Sequence, residues 1–228
     1  CDRKDHQALK EKLSGRRFDA VFDIIAYVPE DTHGLLAAID RSRLRHYLHI
    51  STGSVYKATS RLPLCESFPR GPEDPGDTYG RNKYLIEEIL FRAYREEGLP
   101  VTLIRPGYIY GPNNYVYREA FYFDRLLAGR PLLVPGDGSI VTQFGYVDDL
   151  AALMLCVLGN ERAIGEAYNF AGEFAVTTGE YLRTVIDAVG ESFGAESGSG
   201  GASPRVVHFR PAELGLAPAD VRRVFPYK

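Results

Sequence analysis

Two short segments constrain this chain more than any others. Ser51-Thr52-Gly53-Ser54-Val55-Tyr56 closes an apolar run, and Tyr79-Gly80-Arg81-Asn82-Lys83 opens an amphipathic one. Residues four apart share a helical face, so a helix starting near Tyr79 stacks the Lys83 ammonium one turn from the phenol. A free Tyr has a pKa of ~10 and is a poor base near neutrality. A neighbouring cation favours the phenolate and brings it toward the range useful for proton transfer. A hydroxyl such as Thr52 then holds a substrate oxygen beside the Tyr. This equipment takes a proton from an alcohol while a hydride leaves its carbon. The spacing alone is a weak signal, since a surface pair on a helix satisfies it equally.

The surrounding pattern supplies the context. Residues 47–52 read as a strand with Thr52 at its carboxyl end, where open α/β sheets place their ligand crevice. Leu85, Ile86, Ile89, Leu90 and Ala93 then recur at helical spacing. Residues 101–104 form a further strand leading into Arg105-Pro106-Gly107-Tyr108. Strands are also expected at 18–25, 132–134, 142–147 and 167–171. Helices are expected at 33–39, at 117–128 (ended by Gly129), at 150–158 and at 177–189. Asp148 and Asp149 read as the N-cap and first-turn acid of the helix that follows them. The stretch 190–204 is Gly/Ser-rich and reads as a mobile loop.

Composition agrees with a globular α/β protein in a cytoplasmic setting. The 228 residues, 45% of them hydrophobic, suffice for a substantial core, and the net charge of −3 gives no general case for nucleic acid or anionic membrane. The three cysteines, Cys1, Cys65 and Cys156, lack CxxC spacing, and the five histidines show no metal-ligand spacing. Neither a disulfide framework nor a metal site is expected. No apolar run reaches the ~18 residues of a membrane helix.

The order strand, hydroxyl, Tyr/Lys helix, strand resembles the extended short-chain dehydrogenase/reductases, specifically the NAD-dependent epimerase/dehydratase family. The likeness runs from about Asp2 to about Gly190. It implies an α/β fold with a Rossmann-like parallel sheet and flanking helices, plus a small mixed C-terminal lobe. The expected division is a cofactor and catalytic part over 1–112 and the remaining sheet elements with the substrate lobe over 113–228. The likeness assigns Thr52, Tyr79 and Lys83 to catalysis, and Asp2, Ala26, Tyr79, Lys83 and Pro106 to the cofactor, NAD ahead of NADP. It assigns Ser54, Tyr108 and Thr142 to a small-molecule substrate of the sugar-nucleotide kind, and leaves a homodimer open. No GxGxxG turn follows a strand in these residues, so the chain reads as an internal fragment lacking the family's first βαβ unit of ~30 residues.

Subgroup signals narrow the chemistry. The family's dehydratases place Asp-Glu after the catalytic Thr, whereas Gly53-Ser54 follow Thr52 here. That leaves hydride transfer, by an epimerase through a transient ketone or by a dehydrogenase or reductase. Tyr108 and Thr142 stand where sugar-nucleotide enzymes usually carry the Asn and Arg that hold a phosphate, which leaves a smaller or differently anchored substrate open. Thr142-Gln143-Phe144-Gly145-Tyr146-Val147 also resembles the branch of chloroplast stem-loop RNA-binding proteins. The alternative is therefore an RNA-binding or inactive member of the fold, supported by Arg41, Arg43, Arg45 and His46 with Arg3, Lys4, Arg16 and Arg17. Such runs are usually solvated surface, and nucleic acid is not the expected partner. Bland readings stand beside each choice. Thr52 ends a strand, Tyr108 packs, Arg105 pairs with a helix carboxylate, and Asp148 caps a helix.

Overall fold

The computed structural model describes residues 1–193 and 205–215. In chain order the elements are α1 (His6–Leu13), β1 (Ala20–Asp23), α2 (Pro29–Ala38), β2 (His46–Ile50), α3 (Thr78–Glu97), β3 (Val101–Pro106), β4 (Tyr108–Tyr110), α4 (Glu119–Leu127), β5 (Leu132–Pro135), β6 (Val141–Tyr146), α5 (Val147–Val157), β7 (Ala167–Phe170), β8 (Ala175–Thr177), α6 (Thr178–Phe193) and β9 (Val206–Phe209). They form two compact units, Cys1–Ile109 with Gly145–Ala171, and Tyr110–Phe144 with Gly172–Lys228.

The first unit is a four-stranded parallel sheet in the order β1-β2-β3-β7. Every residue of β3 and four of the five of β2 are buried, because helices cover both faces of a parallel sheet. One face packs Tyr47, Val101 and Leu103 against Leu36 of α2 and Ile86, Leu90 and Ala93 of α3. The other packs Leu48 and Ile104 against Val157, with Leu150, Leu153 and Met154 of α5 beside them. The α3 helix has a defined start and stop. Asp77 accepts a hydrogen bond from Gly80 N at its N-terminus, and Gly98 closes it at φ 71°.

In the second unit β6 pairs antiparallel with β8, and β5 pairs parallel with β9. Its core joins Tyr122 of α4, Leu132 and Val134 of β5, and Leu182 and Val185 of α6.

Several boundaries move from those expected. β1 covers only Ala20–Asp23, and β2 ends at Ile50, so Thr52 lies in the turn beyond the strand. Helix α2 begins four residues before the expected 33, at Pro29, whose fixed φ suits the first helical position. Asp148 is not the N-cap of α5. Tyr146 holds that position, and Asp148 and Asp149 both sit in the first turn, where carboxylates complement the helix dipole. The expected loop at 190–204 begins inside α6, and 194–204 lies outside the described residues.

Candidate functional site

The parallel sheet ends its strands β1 and β2 side by side, with Asp23 opposite His49. The chain beyond β2 turns tightly. Thr52 Oγ1 accepts a hydrogen bond from Ser54 N at 3.2 Å, and its hydroxyl lies 3.4 Å from Ser54 Oγ. This turn packs on the first turn of α3 at Gly80, where an added Cβ would stand 2.5 Å from Ser54 O and 2.4 Å from Asp77 Oδ2. Gly80 is therefore the residue that admits the Thr52 turn to the Tyr79 end of the helix.

Tyr79 and Lys83 differ sharply in exposure. Tyr79 is 45% exposed and Lys83 2%. Lys83 Nζ donates to Ile50 O at 2.6 Å and lies 5.4 Å from the centroid of the Tyr27 ring, which in turn lies 6.3 Å from the Tyr79 ring. Burial pulls the Lys83 pKa down to about 8 against the opposing field of Asp23. Lys83 and Tyr79 thus lie near the carboxyl edge of the sheet, linked through Tyr27 from the segment after β1, with the Thr52 turn packed on the same helix at Gly80.

Beneath them lies a polar hub that the sequence reading does not contain. Asp23 is 3% exposed. It accepts from Arg3 Nη1 at 2.7 Å and from Tyr47 Oη at 2.8 Å. Burial pushes its carboxyl up, and the bond from Arg3 and its neighbours outweigh this, leaving it below the ordinary range. His49 Nδ1 lies 3.0 Å from Asp23 O, and a carbonyl can only accept, so Nδ1 carries the proton. Its Nε2 is buried without a partner. Full burial drops the His49 pKa to about 3, so the ring is neutral at pH 7.

The remaining expected site residues fall as follows. Asp2 is exposed and accepts from Lys4 N within its own turn, while its neighbour Arg3 is the residue tied to the sheet. Ala26 is fully buried after β1, Pro106 is buried at the end of β3, and Ser54 is exposed in the Thr52 turn. Tyr108 lies half-buried in β4 of the first unit. Thr142 lies in the second unit, opposite Val176.

Part of the basic run is paired with carboxylates. Arg41 pairs with Glu97 at 2.5 Å, Arg43 with Asp19 at 3.3 Å and Arg17 with Asp40 at 3.2 Å. His46 is no surface cation at all. It is 1% exposed, its Nδ1 accepts from Gly159 N at 2.9 Å, and its Nε2 donates to Thr102 Oγ1 at 2.8 Å. Among the described residues no group of His, Cys, Asp and Glu is placed to hold a metal, and no helix is long and apolar enough to cross a membrane.

Comparison with known proteins agrees with this architecture. The profile of the NAD dependent epimerase/dehydratase family matches residues 1–171. The chain is 37% identical, over its full 228 residues and 54% of the relative, to the chloroplast stem-loop binding protein of 41 kDa b of Arabidopsis thaliana. It is 26% identical over 162 residues, 71% of this chain and 45% of the relative, to the dTDP-D-glucose 4,6-dehydratase of Homo sapiens. The solved UDP-glucose 4-epimerase of Thermotoga maritima superposes with a TM-score of 0.72 at 21% identity, covering 98% of this chain and 76% of that one. The chain spans about half the length of these two curated relatives. The profile match over most of its length, the parallel sheet and a relative matched along the whole of this chain lead to one assignment: the chain belongs to the NAD-dependent epimerase/dehydratase family.

Proposed function

We propose that the protein of which these residues form part transfers a hydride between a substrate alcohol and a nicotinamide cofactor, with Thr52, Tyr79 and Lys83 as its working residues. One observation carries the reading. A buried Lys83 stands one helical turn from a half-exposed Tyr79, at the carboxyl edge of a parallel sheet and beside the Thr52 turn. A buried cation is costly unless its charge is used, and buried ionisable groups with displaced pKa values cluster at functional sites.

The nicotinamide-ribose end of the cofactor fits this place. Lys83 spends one N–H on Ile50 O, and an ammonium has three, so two suit a ribose diol. Ala26 and Pro106 border the same strand ends. The bound cofactor supplies the hydride acceptor. The protein's own part is to orient and to move the proton. Thr52 Oγ1 and Tyr79 Oη hold the reacting oxygen, and Tyr79 takes the hydroxyl proton as the carbon becomes a ketone. The charge of Lys83 favours the phenolate that accepts this proton, and the reverse steps return the proton from the phenol. Gly53 and Ser54 offer no acid for eliminating a hydroxyl, which favours epimerisation or net redox over dehydration. The substrate class is a small molecule bearing an alcohol, either a sugar nucleotide or something smaller, held without the usual Asn and Arg because Tyr108 and Thr142 stand in their place.

The test uses the full-length protein with NAD⁺ and NADP⁺ against UDP-, dTDP- and GDP-sugars and simple polyols, following dihydronicotinamide absorbance and product epimers. Turnover that depends on Tyr79 supports the reading; no turnover with any pair overturns it. Saturation by one nucleotide sugar at low concentration would show that Tyr108 and Thr142 do not weaken the phosphate clamp. The full-length similarity to a stem-loop binding protein favours a second reading, retention of the fold for nucleic acid. The ion pairs of Arg17, Arg41 and Arg43 weigh against it, because a cation already paired gains less from a phosphate.

A further inference from the structure

The face of α3 that presents Tyr79 and Lys83 carries a third polar residue one turn further on. Glu87 is fully buried. Its Oε1 accepts from Ser51 Oγ at 2.6 Å and Arg105 Nε at 2.8 Å, and its Oε2 from Arg105 Nη2 at 2.8 Å and Arg70 Nη1 at 2.7 Å. Arg105 Nη1 also donates to Tyr56 Oη at 2.8 Å, and that hydroxyl donates to Asn169 Oδ1 at 2.6 Å. The network thus begins on the catalytic helix and ends on the neighbouring strands and on Tyr56, the last residue of the Ser51–Tyr56 segment.

Packing does not require this carboxylate. Ile86 and Leu90 on either side already bury α3 against the sheet, and apolar residues in place of a buried ion pair are often as stable. What the network adds is directional. An apolar face tolerates sliding of a helix by a fraction of a turn, whereas a carboxylate with every lone pair engaged tolerates little. Lys83 binds the carbonyl of Ile50 and Glu87 binds the hydroxyl of Ser51, so two successive residues at the end of β2 are tethered to α3 immediately before Thr52. We propose that Glu87 is a positioning residue which, through Ser51 and Arg105, holds the Thr52 turn in register with Tyr79 and Lys83. The proposal rests on the reading of those three as the working site.

Ser51→Ala severs the tether with the loss of one hydroxyl, and Glu87→Gln removes the charge at constant shape. Arg41→Ala serves as the control. Arg41 pairs with Glu97 in the last turn of the same helix and donates to Leu36 O, so its loss weakens α3 without removing a bond to Glu87. With 3-fluorotyrosine at position 79 of the full-length protein, the ¹⁹F line reports the surroundings of that ring whether or not a substrate is known. The line should shift or split in Ser51→Ala and Glu87→Gln and stay in place in Arg41→Ala, even if all three variants melt earlier. In turnover the first two should lose roughly tenfold or more in kcat with KM changed by less than about twofold. An unmoved line and unchanged kcat in Ser51→Ala, with only a lower Tm, would reduce Glu87 to a structural ion pair and overturn the proposal. Should Glu87→Gln fail to fold, Ser51→Ala decides alone. A moved line in a protein whose parent turns over nothing would keep the positioning role and sink the hydride-transfer reading.

Discussion

At the scale of single residues, the pair that spacing brings together is also the pair with the sharpest consequences. Tyr79→Phe removes one oxygen from a half-exposed ring. The fold should therefore survive while turnover in the full-length protein falls by about 10²–10⁴-fold, the usual range for a general acid–base group. Activity within about threefold of the parent, less than ~1 kcal/mol, would remove Tyr79 from the mechanism. Lys83 makes a prediction about stability. Its pKa is about 8 folded and 10.5 ordinarily, so between those values the unfolded chain binds more protons and stability rises with pH. Below about 8 the cost of burying the charge is present in full, on the order of 3 kcal/mol. Lys83→Met should accordingly be more stable relative to the parent at pH 7 than at pH 10. Denaturant midpoints of both proteins across that range check it, and a constant difference would mean that Lys83 is solvated in a way its burial does not show. Tyr79 and Lys83 were legible because helical spacing is local. Glu87 lies on the same stripe and was available to the same argument. The hub of Arg3, Asp23, Tyr47 and His49 was not, since a strand register and a fold-back of the chain start create it, and neither is written in any short segment.

At the scale of elements, Gly80 shows how a helix start is chosen by what it meets. Glycine inside a helix ordinarily costs about 1 kcal/mol against alanine, so propensity alone predicts that Gly80→Ala stabilises. The contact predicts the opposite, because the new Cβ would stand 2.5 Å from the backbone carbonyl of Ser54, which has no flexible end to yield. Gly80→Ala should lower the melting temperature and disturb the Thr52 turn, reducing turnover as well as stability. A melting temperature equal to or above the parent's would show that α3 can lift off the turn without loss. Sequence reading placed α3, β3, α4 and β5 to within a few residues because short local patterns mark them: the apolar periodicity from Leu85 to Ala93 in α3, and Gly129 after α4. It overran β1 because Ile24 and Ile25 continue the apolar run past the last paired residue, Asp23. It misplaced the α5 cap because the helix starts directly from β6, leaving no turn for Asp148 to occupy. The partners of the basic run were not legible in the sequence, because residues such as Glu97 for Arg41 lie far away along the chain.

At the scale of the whole molecule, the parallel sheet of the first unit ends at β1. Phe22 is 40% exposed there, and Ile24 and Ile25, just beyond it, are 50% and 58% exposed. An outermost strand with apolar side chains in water is a template for further pairing, so the isolated chain should self-associate at high concentration. The same end of the sheet bears on cofactor affinity. Dinucleotide-binding folds hold the pyrophosphate with backbone N–H groups of a glycine-rich turn between a strand and a helix N-terminus. Among the described residues no such turn follows a strand. On the proposed reading Tyr79, Lys83 and the backbone near Ala26 and Pro106 would meet only the nicotinamide ribose, and none of them would hold the phosphates. The 228-residue chain by itself is therefore expected to bind NAD(H) and NADP(H) more weakly than low micromolar, even though its proposed proton-transfer residues are in place. Isothermal titration of the monodisperse chain with each dinucleotide measures this directly. A dissociation constant near 1 μM, about −8 kcal/mol, would mean that these residues secure the phosphates without a glycine-rich turn. In that case the buried polar hub around Arg3 and Asp23 becomes the first place to look for how.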